Sequence, residues 1–340
     1  MTVWGRGHSL VLPSTLVQKT YPSVVHKNDS SEVLEHKSVM LRECLDYLDV
    51  KEGEIVVDCT LGLGGHSSEM LRLVGPKGKL FSFDLDERNI AVAIPNLDAV
   101  GNNYKVIHDS FSSLKNRLKR EGVSRVDAIL FDLGLSSPHI DDAARGFSFQ
   151  KDGPLDMRFD ATQGETAADI LHGRTESELA DIFYYFGEER RSRRLAKAII
   201  EFRKKARFES TLQLRDFITE VLGKGKPGKH SATCIFQALR IAVNKELEAL
   251  ELGLNQALEL LAHDGRVVVL SYHSLEDRFV KQTFKQLATD LRDPNDPFGR
   301  RVLRPKSLSL LNKKPITASP EEIADNSRAR SAKLRAAKKL

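Results

Sequence analysis

The chain has 340 residues, 41% of them hydrophobic and 29% charged, with a formal net charge of +5. These are the values of a folded globular protein, long enough for two average domains or for one larger α/β domain with an insertion, and they argue against a disordered chain. No run of about 18 apolar residues occurs, so no membrane-spanning helix is expected, and the N-terminus lacks the basic and apolar regions of a secretory signal.

Charge is segregated along the chain. Residues 300–340 carry 12 Lys/Arg against 3 Asp/Glu, and residues 187–207 carry 9 against 3, which leaves the remainder acidic. Such segregation suits a protein that meets a polyanion on one face. Cys44, Cys59 and Cys234 are widely spaced and form no CxxC pair, so neither a disulfide framework nor a zinc site is expected.

Residues 1–35 read as a flexible N-terminal extension. Residues 1–28 lack acidic groups and carry Arg6, Lys19 and Lys27, so an organellar transit peptide is the alternative to a cytoplasmic location. From residue 54, short apolar runs alternate with helical stretches, the pattern of a parallel sheet covered by helices. EIVVDCT (54–60) is the first strand, followed by a glycine-rich turn and a helix near 66–74 that stops before Gly75-Pro76. KLFSFDLD (79–86), NYKVIHDS (103–110) and VDAILFDLGLSS (126–137) supply the next three strands. These strands end on Asp58, Asp84 with Asp86, Asp109 and Asp132, and ligands of open α/β sheets bind beyond the carboxyl ends of strands, so the four positions are expected to share one crevice.

The rhythm breaks at 140–233, where SELADIFYYFGEE, RRSRRLAKAIIEFRKKA and the glycine-rich GKGKPGKH (223–230) read as a helical insertion. Residues 234–262 have the apolar spacing of one long helix, and RVVVLSYHS (266–274) restores the strand pattern. Beyond 285, Pro, Asn and basic residues without periodicity read as an extended basic tail, 286–340.

The loop DCTLGLGGH (58–66) stands between a strand and a helix, where glycines let the backbone approach a ligand and adopt positive φ. Gly62, Gly64 and Gly65 do not make GxGxxG, because Ser67 takes the last position. The missing glycine counts against a pyrophosphate-bearing dinucleotide and leaves a nucleoside cofactor compatible. Asp84 ends the next strand, where a carboxylate accepts hydrogen bonds from two ribose hydroxyls. His66 opens the following helix, a position that by itself suits a cap or a surface residue.

HKSVMLRE (36–43), DCTLGLGGHS (58–67), DLGLSSPHIDDAARGFSFQKDGPLDMRFD (132–160), GEERRSRRLAKAI (187–199), SATCIFQALRIAVNKEL (231–247), VVVLSYHSLEDRFVK (267–281) and KKPITASPEEIADNSRARSAKLR (313–335) resemble, in order, the successive signatures of the MraW (RsmH) family. The resemblance implies an α/β, class I (Rossmann-like) methyltransferase sheet formed by 36–139 and 234–285, with the insertion 140–233 after the fourth strand engaged in RNA recognition. It implies S-adenosylmethionine as methyl donor and N4-methylation of a cytidine in the decoding region of small-subunit ribosomal RNA. Carried over by position, Gly64, Gly65, His66, Asp84, Phe111, Asp132 and His139 would bind the cofactor. His139 stands where the family commonly has glutamine, and residues 1–35 have no counterpart in its usual short N-terminus.

Cytosine N4 is a poor nucleophile because its lone pair is delocalised into the ring, so an enzyme has to accept its amine hydrogens and hold it in line with the sulfonium methyl. Ser136-Ser137-Pro138-His139 resembles the Ser/Asp-Pro-Pro-aromatic motif of amino-methyltransferases, with one proline absent and histidine as the ring. Ser137 and the backbone at Pro138 are the candidate amine acceptors, and Asp132 or water the proton acceptor. Asp141, Asp142, Asp152, Asp156 and Asp160 lack the ligand spacing of a calcium loop, so no metal site is read from them. HSLEDR (273–278) is either a capped strand-to-helix turn or a contact to RNA or base.

Arg190, Arg191, Arg193, Arg194 and Lys197, with Arg328, Arg330, Lys333 and Arg335 of the tail, are the candidate phosphate contacts, giving affinity without sequence choice. Reaching the amine also requires an unpaired or extruded base, so the assembled small subunit is the expected substrate. A homodimer stays open. A dehydrogenase is disfavoured by the missing glycine, and a non-catalytic assembly module has no need of the loop, Asp84 and SSPH together.

Overall fold

The computed structural model describes residues 37–226, 229–296 and 300–340. The expected N-terminal extension, 1–35, lies outside the described residues.

Seven strands make the central sheet. β1 (Ile55–Asp58), β2 (Lys79–Asp84), β3 (Tyr104–His108) and β4 (Val126–Asp132) are parallel neighbours in the order β4-β1-β2-β3. Two short hairpin pairs lie outside it, β5 (Gly225–Lys226) with β6 (Lys229–His230), and β8 (Leu291–Arg292) with β9 (Val302–Arg304). β7 (Leu261–Ser271) pairs parallel with β4, and β10 (Leu308–Leu310) and β11 (Lys333–Lys339) complete the order β10-β11-β7-β4-β1-β2-β3, with β11 antiparallel to β7. This is the class I methyltransferase sheet that the resemblance implies.

The strands read as continuous apolar runs because both faces are covered. Alternate residues feed two cores. Val56, Leu80, Leu130, Val268 and Leu270 pack on one face with α1 (Leu41–Leu48), α2 (Gly65–Val74) and α3 (Glu87–Asp98). Val57, Phe81, Phe83, Ile129, Phe131, Val267 and Val269 pack on the other with α4 (Leu114–Arg120) and, from later in the chain, Leu250, Leu254, Val280 and Phe284.

After α5 (Ser137–Asp141), the helices α6 (Ala167–Gly173), α7 (Glu176–Tyr185), α8 (Ser192–Arg203) and α9 (Thr211–Leu222) gather round an apolar cluster of their own that includes Met157, Phe183, Leu195, Phe208, Ile218 and Leu239. The expected single helix over 234–262 is instead two, α10 (Ser231–Asn244) and α11 (Glu246–Leu260). Lys245 between them is left-handed at φ 49°. Apolar periodicity runs on through that one residue, so the pattern hides the break. Arg240 braces it with two 2.8 Å bonds to the Glu246 carboxylate, and the Asn244 amide donates to the Met157 carbonyl at 2.8 Å.

The expected tail is corrected. After α12 (Ser274–Leu287), β10, α13 (Pro320–Asp325) and β11 return to the sheet, and Leu334, Ala336 and Ala337 are buried beside β7. KLRAAKK reads as a tail because Leu334 is the one large apolar residue among its buried positions, beside two alanines and Arg335, and the rest is lysine. Arg335 is tolerated inside because its guanidinium bonds Asp277 at 2.7 Å. Sheet pairing uses the Arg335 and Lys333 that the sequence suggested for RNA: both meet Asp277, and Arg335 is buried.

Candidate active site

One cavity opens at the carboxyl ends of the strands. Its walls include Leu61, Gly62, Gly65 and His66 of the glycine loop, Asp84 and Leu85 after β2, Asp109 and Phe111 after β3, and Asp132 to Ser136 after β4. Strand order separates its two ends, with the β2 and β3 residues on one side of the loop and the β4 and β7 residues on the other.

Of the five acids expected at four strand ends, Asp84, Asp109 and Asp132 reach this cavity, whereas Asp86 is bonded to His139 and Arg145 behind it and Asp58 does not reach it. Asp58 is wholly buried beneath the loop, where Ser67 donates to it at 2.7 Å and the Thr60 amide at 3.0 Å. Burial pushes its carboxyl up to about 7. The folded state therefore holds a proton that the unfolded chain, with an ordinary carboxyl, releases near pH 4. The stability this gives is fully present below about pH 4 and is lost as pH rises through about 7. Asp58→Asn is expected to flatten the pH dependence of chemical denaturation between about pH 4 and 7; a slope identical to that of the parent would refute the assignment.

Gly64 is the left-handed N-cap of α2, φ 86°, with Ala93 Cβ 3.1 Å from the position its own Cβ would take. Its role is the turn, and Gly62, Leu63 and Gly65 supply the wall. Asp84 accepts the Gly62 N–H at 2.8 Å through one oxygen and the Asp86 N–H at 2.8 Å through the other. Burial pushes its carboxyl up to about 6 against those two bonds. The Asn89 amide also lies 3.4 Å from both oxygens, a long shared contact that a diol can displace to reach the remaining lone pairs. Phe111 packs edge-on to Phe131 at 5.4 Å and gives this end of the cavity an apolar wall.

Asp132 sits at the other end. Its Oδ1 accepts the Tyr272 hydroxyl at 2.7 Å and the Gly134 N–H at 3.3 Å, and its Oδ2 lies 3.6 Å from His66 Nδ1. Burial and the Asp132 charge raise the Tyr272 hydroxyl well above its usual range, so it stays a donor. His66 is buried, which lowers its basicity, and its Nε2 lies 3.1 Å from the Val39 carbonyl. That bond sets the tautomer with Nδ1 bare toward Asp132.

His139 lines the cavity, but both ring nitrogens are engaged within the protein. Nε2 meets Asp86 at 2.9 Å and Nδ1 meets the Ser136 hydroxyl at 3.0 Å. Burial lowers its basicity, and its ring packs against Phe147 and Phe159 at 4.9 and 5.2 Å, two rings that stack on each other at 5.5 Å. Burial alone would raise Asp86, yet His139 and Arg145 hold it below the usual carboxylate range. What His139 offers a ligand is ring surface.

Ser137 and Pro138 begin α5 and stand outside the cavity wall, where Ser136 takes the place expected of them. The Ser137 hydroxyl accepts from the Arg328 guanidinium, which also reaches Asp141 at 3.4 Å. Arg328, read from the sequence as a phosphate contact, thus joins the wall. Tyr272, Asn244, Glu246 and Glu276 line the same end and were not legible as site residues. Only the SYHSLED and NKEL blocks marked their neighbourhood, and a tertiary contact between the starts of α11 and α12 brings them together.

The walls carry Asp84, Asp109, Asp132, Glu246 and Glu276 against Lys37 and Arg328. An acidic cavity with a glycine loop, an acceptor for a diol and an apolar slot fits a cationic nucleoside that carries an amino acid, which is the constitution of S-adenosylmethionine.

The profile of the MraW methylase family matches residues 33–340. Among curated relatives, the chain is 46% identical over 306 residues to the ribosomal RNA small subunit methyltransferase H of Dehalococcoides mccartyi, covering 90% of this chain and 86% of that protein. It is 45% identical over 301 residues to the protein of the same name from Dictyoglomus thermophilum, covering 88% and 95%. It is 41% identical over 308 residues to that of Caldicellulosiruptor bescii, covering 91% and 100%. With an acidic nucleoside cavity at the switch point of a class I sheet and a family match across nearly its whole length, the chain belongs to the MraW methylases, which draw their methyl group from S-adenosylmethionine.

Proposed function

We propose that this chain transfers the methyl group of S-adenosylmethionine to N4 of a cytidine in the decoding region of small-subunit ribosomal RNA. The observation that carries the reading is Asp132: a carboxylate oriented by Tyr272 and Gly134, in the same cavity as the glycine loop and Asp84. The names of the curated relatives support the RNA class.

When bound, the cofactor supplies an electrophilic methyl group on a sulfonium. The Asp84 carboxylate would accept its ribose hydroxyls, Gly62 and Gly65 would let its chain pass close to the backbone, and Phe111 would offer its base an apolar wall. At the opposite end, Asp132 and Ser136 accept the amine hydrogens of the cytosine and localise its lone pair. Once methylated, the amine would be acidic, and Asp132 would take its proton. His66 Nδ1, bare and 3.6 Å away, is placed to take it onward.

The polyanion meets the insertion. Arg190, Arg193, Arg194 and Lys197 are exposed at and along α8, whereas Arg191 is tied to Glu189 and the Leu222 carbonyl. Tyr184 and Tyr185 stand beside them 51% and 62% exposed, the surface on which unpaired bases stack. Reversing Arg190, Arg193 and Arg194 to Glu is expected to weaken RNA binding about tenfold or more and to make its dependence on log salt shallower by roughly two to three. An unaltered slope in a filter-binding titration would remove α8 from the interface.

Incubating the purified chain with labelled S-adenosylmethionine and either small subunits or naked ribosomal RNA, then digesting to nucleosides, tests the whole reading. N4-methylcytidine formed on the intact subunit and at least tenfold less on naked RNA is expected. A different methylated nucleoside, or equal rates on both, would overturn the corresponding part.

A further inference from the structure

The hydroxyl of Ser136 can serve an amine only if its oxygen, not its proton, faces the cavity. A serine hydroxyl rotates and offers one donor and two acceptor lone pairs, so a neighbour has to choose between them. That neighbour is His139, which is buried beside it.

Two groups fix the state of the imidazole. Burial works against the charge on Asp86, but His139 and Arg145 keep it a carboxylate, and at 2.9 Å it accepts the proton on His139 Nε2. The Ser136 N–H donates to His139 Nδ1 at 3.3 Å, which requires that nitrogen to be bare. Both select one tautomer, with the proton on Nε2 and the lone pair on Nδ1. Turning the ring over would set carbon against Asp86 and against the Ser136 N–H, and Phe147 and Phe159 lie against it. Burial lowers its basicity against the pull of Asp86, and Arg145 and Arg240 repel a further positive charge, so the ring stays neutral. Bare Nδ1 lies 3.0 Å from the Ser136 oxygen, so the hydroxyl donates to it. The same oxygen faces the His139 N–H in the capping box that opens α5, which occupies one lone pair and leaves the other for the cavity that Ser136 lines.

We propose that His139 is a positioning residue: by taking the Ser136 proton it presents the Ser136 oxygen to the acceptor base, which admits an exocyclic amine and disfavours an exocyclic carbonyl. Had Nδ1 carried the proton, the serine would accept from the ring and turn its own proton to the cavity, the polarity that suits a carbonyl oxygen. With this polarity Ser136 and Asp132 are two acceptors for the two hydrogens of one amine. The inference rests on the proposed transfer to a cytosine amine. The Asp86 N–H also donates to Asp84 at 2.8 Å, so a disturbance passed from His139 to the ribose carboxylate would show as lost cofactor affinity, a separate readout.

The test is a double-mutant cycle on single-turnover methylation of intact small subunits with saturating S-adenosylmethionine. His139→Phe keeps a ring in place and removes both nitrogens, and should slow methylation about tenfold, the effect of one lost hydrogen bond. His139→Gln, whose carboxamide again joins a donor for Asp86 to an acceptor for Ser136, should recover most of that loss. In a Ser136→Ala background His139→Phe should cost less than about twofold, because no hydroxyl is left to orient. Calorimetry should give cofactor affinities within about threefold of the parent's throughout, and circular dichroism establishes folding. If His139→Phe does not fold, nitrogen spectra of the isotope-labelled histidines decide, assigned by the signal that His139→Gln removes: a neutral ring protonated on Nε2 is expected, with an Nδ1 signal that moves in Ser136→Ala. Equal losses in both backgrounds, a His139→Gln chain as slow as His139→Phe, a cofactor affinity that falls in step with the rate, or a ring protonated on Nδ1 would each overturn the role. Digestion of the product to nucleosides keeps the two readings apart. Anything other than N4-methylcytidine overturns the proposed reaction, whereas additive losses with that product overturn the role of His139 alone.

Discussion

Asp84→Ala is expected to weaken S-adenosylmethionine binding by at least 100-fold. Hydrogen bonds to a charged partner contribute about 1.5–3 kcal/mol each, so losing two to the ribose removes about 3–6 kcal/mol, against about 1.4 kcal/mol per factor of ten. The substitution also leaves the Gly62 and Asp86 N–H groups without their acceptor, which loosens the turn. Asp84→Asn keeps one acceptor and should fall between. Acid gives the same result without mutation. Only the carboxylate accepts from a diol at both oxygens, and burial has raised its pKa to about 6. Affinity should therefore be flat from pH 8 to about 7 and decline below about 6, by up to tenfold per unit. Calorimetry across that range, with Asp84→Ala as the pH-insensitive control, reads both effects. An Asp84→Ala dissociation constant within threefold of the parent would show that the ribose is held elsewhere.

The second large effect belongs to Asp132. Asp132→Ala should lower kcat by about 10²–10⁴, the span assigned to a positioned proton acceptor, with little change in cofactor affinity. Tyr272→Phe tests the cause, because it removes only the 2.7 Å donor that orients the carboxylate. About a tenfold loss of kcat is expected there, since the Gly134 N–H still holds Oδ1. Single-turnover methylation with saturating cofactor separates chemistry from binding. If Asp132→Ala lowered cofactor affinity and left the single-turnover rate intact, Asp132 would be a cofactor ligand and the amine would be activated elsewhere.

How much of this was legible depended on range. β1 and the Val267–Leu270 stretch of β7 announce themselves as unbroken apolar runs, because strands buried on both faces have no polar alternation to mask. The left-handed glycine turn and the strand-end Asp84 are local features, written in consecutive residues. Ser137 and Pro138 looked equally local, yet the cavity wall there is Ser136 and the ring of His139. A motif gives the spacing of side chains but not the rotation of the helix that starts within it, and α5 turns Ser137 toward Arg328.

The sequence by itself determined the α/β class, the strand-loop-helix that receives a nucleoside, the acidic strand ends and the family, because each is set by periodicity, by short-range backbone geometry or by ordered local blocks. Tertiary structure alone decided the acceptor end of the site. Tyr272 lies 140 positions from the Asp132 it orients, Arg328 lies 191 from Ser137, and Arg335 lies 58 from the Asp277 that neutralises it. The same distance turned an apparent basic tail into two strands of the sheet. A charge on a sequence carries no record of whether its partner will be a phosphate or a buried carboxylate, and only the folded chain, by bringing β11 against β7 and α12, assigns one.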